Sequence, residues 1–322
     1  MSGVHHAAPA RHAGWALLRP PNLLTVPGDP VAGFLLASAA GFSTAALDAG
    51  CAWCGMGMPA WGRAGVAVAA ALLIYAHGLI GNDLFDQAED RRERPDRPIP
   101  SGGVRQRTAI LLCLLTAAAG IALSGFNGWA SMGTAAVLTA TVLLYNGVMK
   151  RFRILGPLFM GACRALSLLT GAVAAGWRGE LSAPVLASAG LLGLYVAAVT
   201  VIARSETRAT ELGFRRWLPA LVLVAGFGAV GWAVRLAGIE TWMFAFALGI
   251  PMAIGAGLVG HHLVGRPAPS RVQAAVGLWL RGLLFMQVCL ASIGWGGLAA
   301  PGVIGLALWA CQVRLAKRFY CT

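Results

Sequence analysis

Long apolar runs, separated by short basic or mixed-charge segments, make up most of the chain. An α-helix needs about 20 mainly apolar residues to cross the hydrocarbon core of a bilayer, and the runs reach that length. The pattern predicts an all-α polytopic membrane bundle that forms a single domain over 1–322. The ten candidate spans are 22–46, 62–82, 107–126, 130–148, 156–176, 183–203, 216–236, 242–264, 273–297 and 300–316.

The composition agrees with a membrane protein. Hydrophobic residues make up 58% of the 322 residues and charged residues 11%, and the 43 glycines suit closely packed membrane helices. The net charge of +13 does not predict a nucleic-acid partner, because the basic residues form short clusters between apolar runs. Residues 1–19 lack the apolar core of a secretory signal, so we expect a cytoplasmic N-terminal tail.

The basic clusters predict one orientation in the lipid bilayer. With the N-terminus in the cytoplasm, most of the 25 basic residues fall in cytoplasmic segments, whereas Arg63 and Arg178 lie outside. The ends of the second, fourth and sixth spans then emerge on the same side. We therefore expect a bacterial inner (plasma) membrane protein whose active site faces the cytoplasm.

One polar segment, residues 82–102, interrupts the apolar pattern at the end of the second span. Asp83, Asp86 and Asp90 are three and four residues apart, so a continuing helix would place their carboxylates on one face. Carboxylates this close favour a cation, and oxygen ligands select a hard ion such as Mg²⁺. The alternative is a solvated charged loop between two helices.

Arginines and prolines follow these aspartates directly. The prolines predict that the helix stops in a stiff loop, and the guanidinium groups can bind phosphate oxygens. Together with the carboxylates and a metal ion, they predict a diphosphate-binding site. The residues are Arg91, Arg92, Arg94, Arg97, Pro95, Pro98 and Pro100.

Two other span ends carry candidate polar residues. Tyr145, Asn146 and Lys150 end the fourth span; they predict phosphate contacts or, alternatively, an interfacial aromatic with a positive-inside lysine. After the sixth span, acidic and basic residues predict a second metal site with a substrate contact or, alternatively, a solvated basic loop. These residues are Glu206, Glu211 and Arg208.

A buried charge pair is predicted within the spans. Arg164 lies about 12 Å along the helix axis beyond Gly156, where an unpaired charge is costly. Asp29 in the first span lies at a comparable depth and is the candidate partner. Structural pairing and contact with a substrate both remain open for this pair. By contrast, Cys51 and Cys54 form an isolated CxxC pair without nearby histidine, and we predict no function for them.

Taken together, these motifs resemble the UbiA superfamily of intramembrane prenyltransferases. The resemblance lies in NDxxDxxxD followed by RPIPSG, in the Tyr–Lys end of the fourth span, and in the arginine of the fifth. The stretch from Gly156 to Arg164 looks more particularly like the EboC-like branch. The resemblance implies about nine or ten helices around a central cavity, which binds Mg²⁺ and an isoprenyl diphosphate.

The resemblance also implies roles for individual residues. It places Asn82, Asp83, Asp86 and Asp90 at the first metal–diphosphate site. It implies phosphate contacts for Lys150, Arg97 and Arg164, and it puts Asn22 near the acceptor. Two departures stand out: glutamates replace the second aspartate-rich motif, and Gly156-Pro157 replaces the usual Gly-Asn.

The predicted function is therefore transfer of an isoprenyl group to an aromatic or other small lipophilic acceptor, after ionisation of the allylic diphosphate. The predicted catalytic residues are Asp83, Asp86, Lys150 and Arg164. Two alternatives remain open. One is phosphoribosyl transfer to a polyprenyl phosphate, and the other is a non-catalytic binder or exporter of isoprenoid diphosphates.

Overall fold

The computed structural model describes residues 23–40, 58–176, 180–206 and 210–319. Within these ranges the regular structure is helical and contains no strand, which confirms the predicted all-α class. The α-helices are α1 (Gly28–Ala39), α2 (Ala60–Phe85), α3 (Gln87–Glu93), α4 (Gln106–Ser124), α5 (Trp129–Gly147), α6 (Leu155–Ala174), α7 (Ala183–Ala203), α8 (Leu218–Leu236), α9 (Met243–His261), α10 (Pro269–Trp295) and α11 (Ala299–Phe319).

The helices follow the predicted spans in order, and the short α3 lies in the polar segment. Among the described residues, seven helical segments are both long and apolar enough to cross a membrane. They contain α2, α4, α6, α7, α8, α9 and α10. The remaining long helices, α1, α5 and α11, match predicted spans by position.

The outward faces of the bundle carry exposed apolar side chains. Leu114 on α4, Val224 on α8 and Leu258 on α9 all point away from the core. Patches of this kind are rare on soluble monomers and suit contact with lipid tails. The indole rings of Trp61 and Trp295 lie 5.4 Å apart at one end of the bundle, as expected for an interfacial aromatic pair.

The core is built on close contact between α1 and α6. A Cβ atom on Gly171 would collide with the carbonyl oxygen of Pro30, and one on Gly33 would collide with that of Leu168. Because both collisions involve backbone atoms, no side-chain rotation could relieve them. The glycines thus allow the two helix backbones to approach closely, which brings the polar residues of α1 next to those of α6.

We expect the substitution Gly171→Ala to destabilise the bundle by about 1–3 kcal/mol, because the added methyl group forces α1 and α6 apart. The matched control is Gly190→Ala on α7, where a Cβ would meet nothing within 4 Å. Denaturant unfolding of the two purified variants measures the effect. Equal stability of Gly171→Ala and the control would contradict the proposed close contact.

Candidate active site

The three aspartates of the polar segment belong to two helices. Helix α2 ends at Phe85 and α3 begins at Gln87, with Asp86 between them. Asp83 and Asp90 are buried, and both accept from Arg97 Nη1, at 3.4 Å and 2.7 Å respectively. Helical backbone hydrogen bonds nevertheless continue through Asp86, from Asp86 N–H to Asn82 O at 2.9 Å and from Asp90 N–H to Asp86 O at 2.8 Å. Asp83 and Asp90 share one cation, while Asp86 contacts another.

The arginine-rich loop folds back over α2. Helix α3 ends at Glu93, as the prolines predict, and the backbone N–H of Val104 closes the loop onto Pro98 O at 2.8 Å. Ile99 is buried at the centre of the loop, where it packs with Ile80 of α2 and with α4. Burial of this side chain fixes the loop, and the fixed loop holds Arg97 over the two carboxylates.

Asp86 pairs with the lysine at the end of α5. Lys150 Nζ donates to the Asp86 carboxylate and lies 3.4 Å from Asn82 Oδ1. Lys150 belongs to a 3-10 turn, Met149–Arg151, that ends this segment. Arg204, at the end of α7, donates from Nη1 to Phe152 O at 2.6 Å and from Nη2 to Lys150 O at 3.2 Å. The ends of the second, fourth and sixth predicted spans thus lie on the same side of the bundle, as predicted, and are in contact there.

A cavity of about 340 Å³ lies between α2, α5 and α6 and includes Asn82 in its lining. Its other polar lining residues are Tyr75, Tyr145, Asn146, Arg164 and Ser167, and apolar side chains and Cys163 make up the remainder. Asn82 therefore contacts both the cavity and the carboxylate cluster, which consists of Asp83, Asp86 and Asp90 with Arg97 and Lys150. This arrangement fits the predicted central cavity and brings four sequence-predicted residues to its wall.

Arg164 and Asp29 form the predicted buried ion pair. Arg164 Nε lies 3.0 Å from Asp29 Oδ2, and Nη2 donates to Asp29 Oδ1 at 3.0 Å and to Thr25 O at 2.9 Å. Gln287 of α10 donates to the same two acceptors, at 2.5 Å and 2.6 Å. Sequence reasoning missed Gln287, although an amide inside an apolar span is a signal for such a partner.

The predicted second metal site is not assembled in the same way. Glu206 is half-buried; burial raises its pKa and the charge of Arg94 opposes that shift. Glu211 instead forms an exposed ion pair with Arg266, at 3.1 Å. Within the described ranges, no group of three or more His, Cys, Asp or Glu residues is arranged to hold a metal ion. The metal-binding roles of the five acidic residues therefore stay predictions.

Several predicted residues lie outside the described ranges. They are Asn22, Arg208, Cys51, Cys54 and the tail at 1–19.

Comparison with known proteins identifies the family. The model of the UbiA prenyltransferase family matches residues 42–279, well over half of the chain. The chain belongs to the UbiA prenyltransferase family. With seven apolar helices of spanning length in the part of the chain that the structure describes, this member of the UbiA family is an integral membrane protein. The EboC-like branch stays a prediction.

Two curated relatives of this UbiA family member share one name. The chain is 35% identical over 124 residues to Digeranylgeranylglyceryl phosphate synthase of Metallosphaera sedula, which covers 38% of this chain and 44% of that protein. It is 27% identical over 202 residues to the protein of the same name from Thermococcus gammatolerans, covering 62% and 68% of the two chains. The match to the first relative thus spans less than half of that protein's length.

Solved structures share the fold. A structure concerning Digeranylgeranylglyceryl phosphate synthase in membranes matches with a TM-score of 0.63 and 16% identity, over 88% of this chain and 98% of that one. A UbiA homologue from Archaeoglobus fulgidus, bound to DMAPP and Mg²⁺, matches with a TM-score of 0.58 and 14% identity, over 89% and 99% of the two chains. At these identities the matches show the helical fold.

The buried ion pair yields a test of stability. We expect Arg164→Gln to cost about 3–5 kcal/mol, because it leaves the buried Asp29 carboxylate uncompensated. The double variant Asp29→Asn with Arg164→Gln carries no buried charge and should recover much of that loss. Denaturant unfolding of the purified proteins measures both effects, and the exposed Arg235→Gln on α8 is the matched control. A double variant no more stable than the single one would contradict the pairing.

Proposed function

We propose that this chain transfers an isoprenyl group from an isoprenyl diphosphate to a lipophilic acceptor, with Mg²⁺ as cofactor. The observation that carries the proposal is the position of the largely apolar cavity, which meets the cluster of carboxylates and cations at Asn82. A diphosphate head and a hydrocarbon tail need these two environments side by side. The family and the Mg²⁺-bound relative support the same reaction class.

The donor set at the cluster fits Mg²⁺. Asp83, Asp86 and Asp90 supply hard oxygen ligands, and Asn82 adds an amide oxygen. These oxygens already attract positive charge, because Arg97 lies between Asp83 and Asp90 and Lys150 lies between Asp86 and Asn82. Bound Mg²⁺ would supply charge neutralisation for the leaving diphosphate.

The side-chain cations have a second role in the proposed reaction. With the carboxylates neutralised by bound Mg²⁺, Arg97 and Lys150 would be free to donate to phosphate oxygens. Both side chains are partly exposed, Arg97 at 22% and Lys150 at 18%. Because neither is fully buried, each can contact a ligand that binds at the surface. They would stabilise the negative charge that develops on the leaving group.

The cavity would bind the prenyl chain and exclude water from the allylic cation. Exclusion of water prevents hydrolysis, the main competing reaction. Ile74, Leu79, Leu138, Val142 and Met160 supply most of the apolar wall. The acceptor would enter the same space, where its nucleophilic atom would form the new bond to the cation and its proton would pass to a nearby base.

The relatives direct the choice of acceptor. The predicted aromatic acceptor has no support from them, since both are named for a digeranylgeranylglyceryl phosphate product. We propose a lipophilic alcohol of the glycerol ether type as the first candidate. Three exposed arginines near the cluster, Arg91, Arg92 and Arg94, could bind a phosphate on such an acceptor.

Diphosphate release from geranyl diphosphate with Mg²⁺ tests the proposed function. We expect Asp83→Asn to lower the rate of diphosphate release about 100-fold, because it replaces one negatively charged carboxylate of the proposed Mg²⁺ site with a neutral amide. The matched control is Glu89→Gln on the neighbouring α3, an exposed carboxylate that should tolerate the change. An unchanged rate in Asp83→Asn would contradict the metal role, and geranyl diphosphate binding without turnover in wild type would favour the non-catalytic binder.

A further inference from the structure

One guanidinium nitrogen of the cavity-lining Arg164 has no hydrogen-bond partner among the described residues. Arg164 is 8% exposed and lines the cavity, and its Nε and Nη2 atoms are directed at Asp29. Its third guanidinium nitrogen, Nη1, makes no hydrogen bond to any residue that the structure describes. Nη1 is not enclosed by protein, so this N–H gains a hydrogen bond when a ligand accepts from it. The cavity is the space from which a ligand could do so.

The depth of Arg164 separates it from the diphosphate site. A Cβ on Gly156, at the start of α6, would lie 3.2 Å from the carbonyl oxygen of Lys150, so Gly156 marks the level of the cluster. Arg164 follows eight residues later, about 12 Å further along the helix at 1.5 Å per residue. A diphosphate bound by Lys150 and the aspartates would lie too far away to contact Arg164. Arg164 is better placed to contact a second molecule deeper in the cavity.

The charge of Arg164 is already balanced. Asp29 is fully buried and bonded to both Arg164 and Gln287, and these contacts join α1, α6 and α10. The pair carries no net charge in a low-dielectric wall, so a second anion beside it would be poorly compensated. A neutral oxygen accepts the free N–H without adding charge. Ser167, three residues further along the same helix, adds a hydroxyl to the same wall.

From these observations we propose that Arg164 Nη1 binds a neutral acceptor oxygen, such as an ether or carbonyl oxygen, of the substrate that receives the prenyl group. The proposal rests on the proposed function. It assigns Arg164 to acceptor selection in place of the phosphate contact implied by the family resemblance. Asp29 and Gln287 are then positioning residues, because they fix the orientation of the guanidinium group.

Equilibrium binding to the full chain in nanodiscs tests the proposal with two matched pairs of ligands. One pair is 1-O-decylglycerol and 1,2-tetradecanediol, which have the same chain length and differ by one ether oxygen. The other is 4-hydroxyacetophenone and 4-ethylphenol, which differ by one carbonyl oxygen. In wild type we expect the ether or the ketone, the member with the additional oxygen, to bind about tenfold more tightly than its partner in at least one pair. A tenfold lower Kd corresponds to about one hydrogen bond to a charged donor.

The substitution Arg164→Lys keeps the charge beside Asp29 but removes the planar guanidinium group with its Nη1 donor. The ratio of the two dissociation constants within a pair should then fall to about one. If Arg164→Lys does not fold, Asp29→Asn with Arg164→Gln removes the same donor. The matched control is Arg235→Lys, an arginine of α8 that lies over the Trp242 ring and outside the cavity lining. It should keep the wild-type preference. A preference for the ether supports a glycerol-type acceptor, and a preference for the ketone supports an aromatic one.

Binding of geranyl diphosphate with Mg²⁺ to the same preparations separates the two proposals. If geranyl diphosphate binds and neither pair shows a preference in wild type, or if the preference survives in both Arg164 variants, the role of Arg164 is overturned. If geranyl diphosphate does not bind to wild type, the proposed function itself fails.

Discussion

Charges inside an apolar bundle must be neutralised, and this constraint determines most of the site. A buried carboxylate without a partner would cost several kcal/mol. Asp83 and Asp90 therefore share Arg97, Asp86 pairs with Lys150, and Asp29 pairs with Arg164. Each cation comes from a helix or loop other than that of its partner, so charge pairing also fixes which helix ends meet.

Small residues make these pairs geometrically possible. The glycine contacts between α1 and α6 bring Asp29 within reach of Arg164. At the other end of α6, Gly156 lets the helix start directly under the Lys150 turn. Packing and electrostatics are thus coupled, because widening the helix spacing by one methyl group would also separate the charges. The cavity between α2, α5 and α6 is the space left when these contacts are satisfied.

The two ends of the cavity differ in chemical character. At the carboxylate cluster, the cations Arg97 and Lys150 are partly exposed to water and can move aside when another positive charge takes their place. Deeper in the bundle, the Asp29–Arg164 pair is enclosed and held by Gln287 as well. An exchangeable cluster suits a ligand that arrives with its own metal and charge. The fixed Asp29–Arg164 pair, which has no net charge, suits the selection of an acceptor by its shape and by a single hydrogen bond.

Much of this arrangement was predictable from the sequence. Span length and hydropathy predict the order of helices, and matched depth predicts the Asp29–Arg164 pair. The separate cation partners of Asp83 and Asp86 were not predictable, because the spacing of the aspartates does not say which cation each one contacts. The pair between Glu211 and Arg266 and the contribution of Gln287 depend on contacts between residues far apart in the chain. The amide of Gln287 within an apolar span signals a polar partner, but no local pattern says which residue that partner is.

The central claim is that the aspartate cluster exchanges its side-chain cations for a metal–diphosphate. Anomalous diffraction from crystals grown with Mn²⁺ and geranyl thiodiphosphate, a slowly reacting analogue, tests it most directly. We expect Mn²⁺ bound to the carboxylates of Asp83 and Asp86, with Arg97 and Lys150 moved onto phosphate oxygens. Mn²⁺ bound elsewhere, with Arg97 still between Asp83 and Asp90, would contradict the claim.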